Sequence, residues 1–220
     1  MVVILIITKF KQWAVFKLTA LFLLMLPYYK SQLEFYESTY SVSTTAYGRC
    51  GFNSFPKEEY ECILDCLKQV VTQENILRIC DIGCGNALLL NFLHKNFHDK
   101  SIIPFGVDFM EKSIIEAQQN IFPEFSKNFV CDCATNYLLP ENIDVVCIDP
   151  SLLLDNDLGV FLSYALKQKK RYYIFYTYSD VLYNLKITSV LDLIKPHSIF
   201  HDNVLYQART YDISAIVVYV

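Results

Sequence analysis

No long run of basic residues breaks this 220-residue chain, and its 19 Lys and Arg are outnumbered by 23 Asp and Glu, a formal net charge of -4. Affinity for a phosphate backbone rests on clustered Lys and Arg, so the charge pattern excludes nucleic acid as an advertised partner. A small molecule or a protein is the expected substrate. Internal repeats and low-complexity segments are lacking too, which excludes repeat arrays and compositionally disordered chains. Metal-ligand spacing is also missing. Neither Cys62-x3-Cys66 nor Cys131-x-Cys133 has the separation of a zinc pair, and no His stands near them. His94 and His98 are spaced i, i+4 but have no third ligand, so they read as ordinary polar positions and no metal is expected. The eight cysteines fall mostly inside apolar stretches, where a reduced thiol behaves as a small hydrophobe. That usage favours a reducing cytoplasm over a disulfide framework.

The length suits one domain with a short extension. Residues 1–29 are apolar apart from Lys9, Lys11 and Lys17. No small-residue cleavage site follows them, Lys17 interrupts the window a spanning helix needs, and Pro27 would end it. With the lysines on the N-terminal side, a span would also export the remaining chain. The segment is therefore read either as an interfacial helix, giving peripheral contact with the inner face of a membrane, or as a non-native extension ahead of a start at Met25. Residues 30–54 are polar and aromatic, with Ser and Thr clustered around Tyr36, Tyr40 and Tyr47. They read as an irregular or partly helical arm. From Pro56 the acids Glu58 and Glu59 open a helix whose apolar face is Tyr60, Ile63, Leu64, Leu67, Val70 and Val71.

The most informative stretch is Ile76 to Ala87. Ile76-Leu77-Arg78-Ile79-Cys80-Asp81-Ile82 reads as a buried strand, Gly83-Cys84-Gly85 as a tight turn, and the residues from Ala87 to Phe97 as an amphipathic helix. Strand, glycine turn and helix in that order make a nucleotide-like cofactor site in open α/β sheets. A dinucleotide fingerprint would need glycine where Leu88 stands, and a phosphate-cradling loop would need a lysine that this turn lacks. Further strands are expected at 101–108, ending in Asp108; at 129–134, containing Asp132 and Cys133; at 143–151, ending in Asp149 and Pro150; and at 172–178. A pair over 198–206 and 215–220 closes the chain. Helices are expected at 109–120, 159–167 and 181–194, and Lys167 to Arg171 reads as a solvated charged turn. The alternation implies an α/β fold: a doubly wound, mostly parallel seven-stranded sheet with an antiparallel C-terminal strand pair.

Asp81-Ile82-Gly83-Cys84-Gly85-Asn86-Ala87 resembles the acidic-x-Gly-x-Gly-x-Gly motif of class I, Rossmann-like, S-adenosylmethionine (SAM)-dependent methyltransferases. Ala87 holds the last place, where a small residue is needed. Gly106-Val107-Asp108 followed by a helix is similar to the family's second motif. The resemblance covers residues 55–220 and implies SAM as cofactor, with the arm folding over its site. It implies that Asp81, Gly83, Cys84 and Gly85 form the cofactor turn, and that Asp108, beside Phe109, accepts from the ribose hydroxyls. It further implies that Asp132 and Cys133 meet the adenine. Asp149-Pro150-Ser151 resembles the Asn/Asp-Pro-Pro-aromatic motif of amino-methylating members, but Ser151 replaces the second proline and Leu152 the aromatic, which weakens the case for base or amide methylation. Asp149 is expected in the cofactor shell and is the best-placed catalytic residue, as an acceptor that orients the nucleophile. Methyl transfer to an unidentified small molecule or protein is the expected function. A catalytically inactive binding module of the same fold is the alternative, with an NAD-type oxidoreductase and a membrane-associated interaction protein behind it.

Overall fold

The structure, a computed structural model, describes residues 30–49, 56–71, 75–165, 171–178, 194–197, 204–209 and 213–219. Residues 1–29, the end of the expected arm from 50 on, Lys167 to Lys170 of the expected charged turn, 181–193 of the expected helix over 181–194 and 198–203 of the expected strand over 198–206 lie outside these. The described elements are α1 (30–42), α2 (Ala46–Arg49), α3 (Lys57–Val70), β1 (Ile76–Ile82), α4 (Leu88–Asn96), β2 (Ser101–Asp108), α5 (Glu111–Glu116), β3 (Phe129–Cys131), β4 (Val145–Ile148), α6 (Asp155–Ala165), β5 (Tyr172–Tyr178), β6 (Val204–Arg209) and β7 (Ile213–Tyr219). The strands form one seven-stranded sheet in the order β3-β2-β1-β4-β5-β7-β6. Pairings from β3 through to β5 are parallel, and β7 runs antiparallel to both β5 and β6. This is the expected doubly wound architecture.

Side-chain alternation along each strand supplies two cores. Leu77, Ile79, Val145, Cys147, Ile174 and Val217 face α3 and α4. Cys80, Ile82, Val146, Ile148, Tyr173, Phe175, Ile216 and Val218 face α6. A strand buried on both sides reads as a continuous apolar run, which is why these strands were legible in the sequence. Pro104 sits in β2 without breaking the ladder, because β3 pairs with β2 only from Gly106 onward.

Several boundaries differ from the expectation. β3 stops at Cys131 because the Asp132 carboxylate accepts from the Cys133 amide, 2.7 Å, and turns the chain. β4 stops at Ile148, and Asp149 caps a short 3₁₀ turn over Pro150–Leu152. The helix expected over 109–120 is α only over Glu111–Glu116. It then widens, with the Phe122 amide reaching back five residues to the Ala117 carbonyl at 2.8 Å. α6 begins at Asp155, ahead of Gly159. Of the last strand pair, β6 ends three residues later and β7 begins two residues earlier than the pattern put them. Arg171, read as part of a solvated turn, is 1% exposed and leads directly into β5. No helix among the described residues is long and apolar enough to cross a membrane.

Candidate functional site

The strand order reverses between β1 and β4. The chain winds outward through β2 and β3, then crosses back to β4 and β5. Loops leaving such a switch point diverge, so a crevice opens beyond the carboxyl ends of the strands. Here it is a cavity of about 840 Å³. Its floor is built from Asp81, Gly83, Cys84 and Gly85 after β1, Asp108 and Phe109 after β2, Asp132 and Cys133 after β3, and Asp149 after β4. Every site residue expected from the sequence lines this one space.

The glycine turn is held down by β2. Gly83 and Cys84 both donate their amides to the Val107 carbonyl, at 2.8 and 3.1 Å, and Gly85 donates to Asp108 Oδ2 at 2.9 Å. Gly83 and Gly85 adopt φ of 80° and 52°, where a Cβ would be strained. Ala87 adopts φ of 65° as the residue before α4, a left-handed conformation that costs a non-glycine residue roughly 1 kcal/mol. Its place in the motif thus sets a backbone angle as well as a size. With three amides of the turn already bonded to β2, the loop does not present the bare N–H groups by which a dinucleotide fold grips a pyrophosphate.

Two of the acids, Asp81 and Asp149, are buried, and Asp108 is half-buried. Asp108 accepts from Gly85 through Oδ2 and from the Met110 amide through Oδ1, 2.8 Å, and burial raises its carboxyl above the usual range despite these donors. Each carboxylate oxygen has a second lone pair, so the pair can still receive two hydroxyls. Asp81 is 2% exposed, and burial pushes it up to about 8. The Tyr176 hydroxyl, which donates to Oδ1 at 3.4 Å, opposes that shift, while the charges of Asp108 and Asp149 add to it. Asp149 Oδ1 accepts from the Ser151 amide at 2.9 Å and the Ser151 hydroxyl at 2.6 Å, and burial raises its carboxyl to about 6. Desolvated like charges that repel one another are costly unless a cation joins them. In the ligand-free crevice burial favours the neutral form of Asp81, and a bound cation would favour its charged form, so these acids can respond to a ligand carrying positive charge.

Above this floor lies the arm. Leu33, Phe35 and Tyr36 of α1 and Arg49 of α2 line the same cavity. The Tyr36 ring meets Phe109 edge-on, 6.4 Å between centroids. Leu152 and Leu153 close the side after β4, with Tyr176 from β5.

Among solved structures the chain is similar to the N-methyltransferase NodS from Bradyrhizobium japonicum WM9 in complex with S-adenosyl-L-homocysteine (SAH). Identity is 10%, coverage is 85% of this chain and 97% of that one, and the TM-score is 0.57. It is also similar to magnesium protoporphyrin IX methyltransferase (ChlM) from Synechocystis PCC 6803 with bound SAH, at 16% identity over 74% and 82% of the two chains, TM-score 0.54. A SAM-dependent methyltransferase from Aquifex aeolicus matches at 14% identity over 76% and 94%, TM-score 0.53. The fold is that of class I SAM-dependent methyltransferases. No family model and no curated protein matches the sequence.

Within this class I fold, three features of the crevice escaped sequence reasoning. Tyr176 was legible only as a strand residue, although it stands near the carboxyl end of β5 and lines the crevice beside the expected acids. Asn86, wholly buried in the turn, donates through Nδ2 to the Ala46 carbonyl at 3.0 Å. Arg49 forms a forked ion pair with Glu116, in which its Nε donates to Oε2 at 2.8 Å and its Nη2 donates to Oε1. Partners 67 positions apart leave no local pattern to read.

Proposed function

We propose that the chain is a SAM-dependent methyltransferase acting on a small-molecule acceptor. The observation that carries this reading is the convergence of buried Asp81 and Asp149 and half-buried Asp108 with the glycine turn on one crevice. Its volume, about 840 Å³, lies toward the upper end of the range usual for ligand pockets, room for more than a lone cofactor. The residues fit the group. At Gly83 a Cβ would stand 3.1 Å from Leu152 Cδ1, so the absent side chain keeps a cradle open. The acids suit a vicinal diol and a cationic sulfonium amino acid. The occupied amides of Gly83, Cys84 and Gly85 speak against an NAD-type oxidoreductase.

On this reading Asp108 takes the ribose hydroxyls, Asp132 and Cys133 bound the adenine, with Phe109 beside them, and Asp81 lies toward the amino-acid end. When bound, SAM supplies an already activated methyl group. The chain's own task is then to hold the acceptor in line and exclude water, which proximity and orientation make effective. Leu152, Leu153 and Tyr176 are the proposed acceptor-side walls. Asp149 is the proposed acceptor that orients the nucleophile, and its Ser151 bonds fix the carboxylate in place. Peripheral membrane contact through residues 1–29 belongs to the same proposal and is tested by vesicle flotation of the full chain.

The test is calorimetry with SAH on the wild-type protein, Asp108→Ala and Asp108→Asn. Alanine is expected to weaken binding by about 1 to 3 kcal/mol, the scale of lost charged hydrogen bonds, with asparagine intermediate. Unchanged affinity in both variants removes the assignment of Asp108, and absence of wild-type binding removes the cofactor.

A further inference from the structure

Neither the strand-end acids nor the glycine turn explains why a forked, half-buried ion pair stands at the edge of the crevice. Arg49 ends α2, and Glu116 ends α5 with 4% exposure. Asn86 lies between them: it bonds the Ala46 carbonyl and the Glu116 carboxylate together. The arm is tied to α5 a second time by the Tyr40 hydroxyl, which donates to the Lys112 carbonyl at 3.4 Å, and the Tyr40 ring lies 5.7 Å from the Arg49 guanidinium carbon. Burial, the largest single influence, pushes the Glu116 carboxyl up. The Arg49, Asn86 and Tyr40 donors together outweigh it and hold the group charged, below the ordinary range. The arm, the cofactor turn and α5 thus share one buried carboxylate.

We propose that Arg49, Glu116 and Asn86 form a latch that holds α1 and α2 over the crevice and couples their position to the glycine turn, which makes Arg49 and Glu116 positioning residues for cofactor retention. The inference rests on the cofactor reading given above. Its physical basis is asymmetry. While the fork is closed, the carboxylate is compensated and the roof of Leu33, Phe35 and Tyr36 stays in place. Removing the guanidinium leaves a poorly compensated carboxylate against Asn86, which takes up a proton or draws water in as the arm separates from the turn; either way the tie between arm and turn is lost. A ligand lying between turn and roof then escapes through the same opening. Strength and direction of the contact, rather than its mere presence, matter here, since a lysine restores the charge without the fork.

The experiment uses the full-length protein and two readouts. One is the dissociation rate of SAH, by surface plasmon resonance. The other is amide hydrogen exchange over residues 30–49 and 83–87 in the ligand-free protein. Arg49→Met is expected to release SAH about ten-fold faster and Glu116→Gln to do so to a lesser degree, with Arg49→Lys in between. Exchange in the arm and in the turn should rise together. Ile63→Val, a small loss of buried volume in α3 away from the latch, is the control for general destabilisation and should leave release unchanged. If Ile63→Val speeds release as much as Arg49→Met does, or if exchange over 83–87 stays at its wild-type rate when the arm loosens, the latch is overturned. Should Arg49→Met fail to fold, Arg49→Lys and Glu116→Gln decide by the same criteria. A wild-type protein that does not bind SAH defeats the cofactor reading alone, while the joint change in exchange still reports whether arm and turn are coupled.

Discussion

Burial pushes the Asp81 carboxyl up to about 8, and the reason is local: the group has lost its water, and the charges of Asp108 and Asp149 in the same crevice add to the shift. In the unfolded chain the group titrates near 3.8, so between about pH 4 and pH 8 the folded protein binds the extra proton. Linkage then gives the sign. Stability from this residue is gained as pH falls through 8 and is lost as pH rises through it. Asp149 behaves alike, with its loss running from about 4 up to about 6. The ligand-free protein should therefore melt at lower temperature at pH 8.5 than at pH 6, and Asp81→Asn should flatten that slope and raise the melting temperature at the alkaline end. Melts across this range decide it: an undiminished slope in Asp81→Asn would assign the pH dependence to other groups.

At the scale of elements, the working unit is β1, the glycine turn and β2 together. The turn is fastened by the Val107 carbonyl and the Asp108 carboxylate, so a change in β2 is felt in the cofactor loop without touching it. Gly106 is where this shows. A Cβ there would stand 2.6 Å from Cys84 Sγ and 2.8 Å from Phe129 Cδ1, so Cys84 must move or the strands must part. Gly106→Ala is expected to lower stability by about 1 to 3 kcal/mol, the usual scale of overpacking, and to weaken SAH binding as well. Urea unfolding and calorimetry measure the two effects. Loss of stability with affinity fully retained would show that the turn does not depend on its seat against β2.

Across the whole molecule, the sheet is completed by its last strand. β7 lies between β5 and β6, and its Ala215 to Val218 contribute buried side chains to both cores. Deleting residues 213–219 leaves β5 with an unpaired edge beside the β4 ladder and removes β6's only neighbour in the sheet order. The shortened chain is expected to lose cooperative unfolding and bind a hydrophobic dye. A sharp melt at the wild-type temperature would mean that the crevice-bearing strands stand without the terminal pair. How far this architecture was legible follows from burial. β1, β2 and β5 are apolar runs shielded on both sides, and their ends fell where the pattern set them. β3 and β4 came out short because Asp132 and Asp149 bond to the amides that follow them and curl the chain early. Alternation of apolar residues carries no trace of that competition. Arg171 shows the same limit from the other side: a cation at the end of a charged run looked solvated, and only the tertiary fold buried it.

By itself, the sequence determined the order of strands and helices, the bend at Gly83 and Gly85, and the acids that follow successive strands, because each is written in neighbouring residues and obeys local periodicity or backbone sterics. Tertiary structure alone decided that these acids share one crevice, that burial raises the Asp81 carboxyl there, that the turn's amides are spent on β2, and that Arg49 reaches Glu116. Those facts depend on distances between residues far apart in the chain, and on the water excluded when they meet, and no local pattern encodes either.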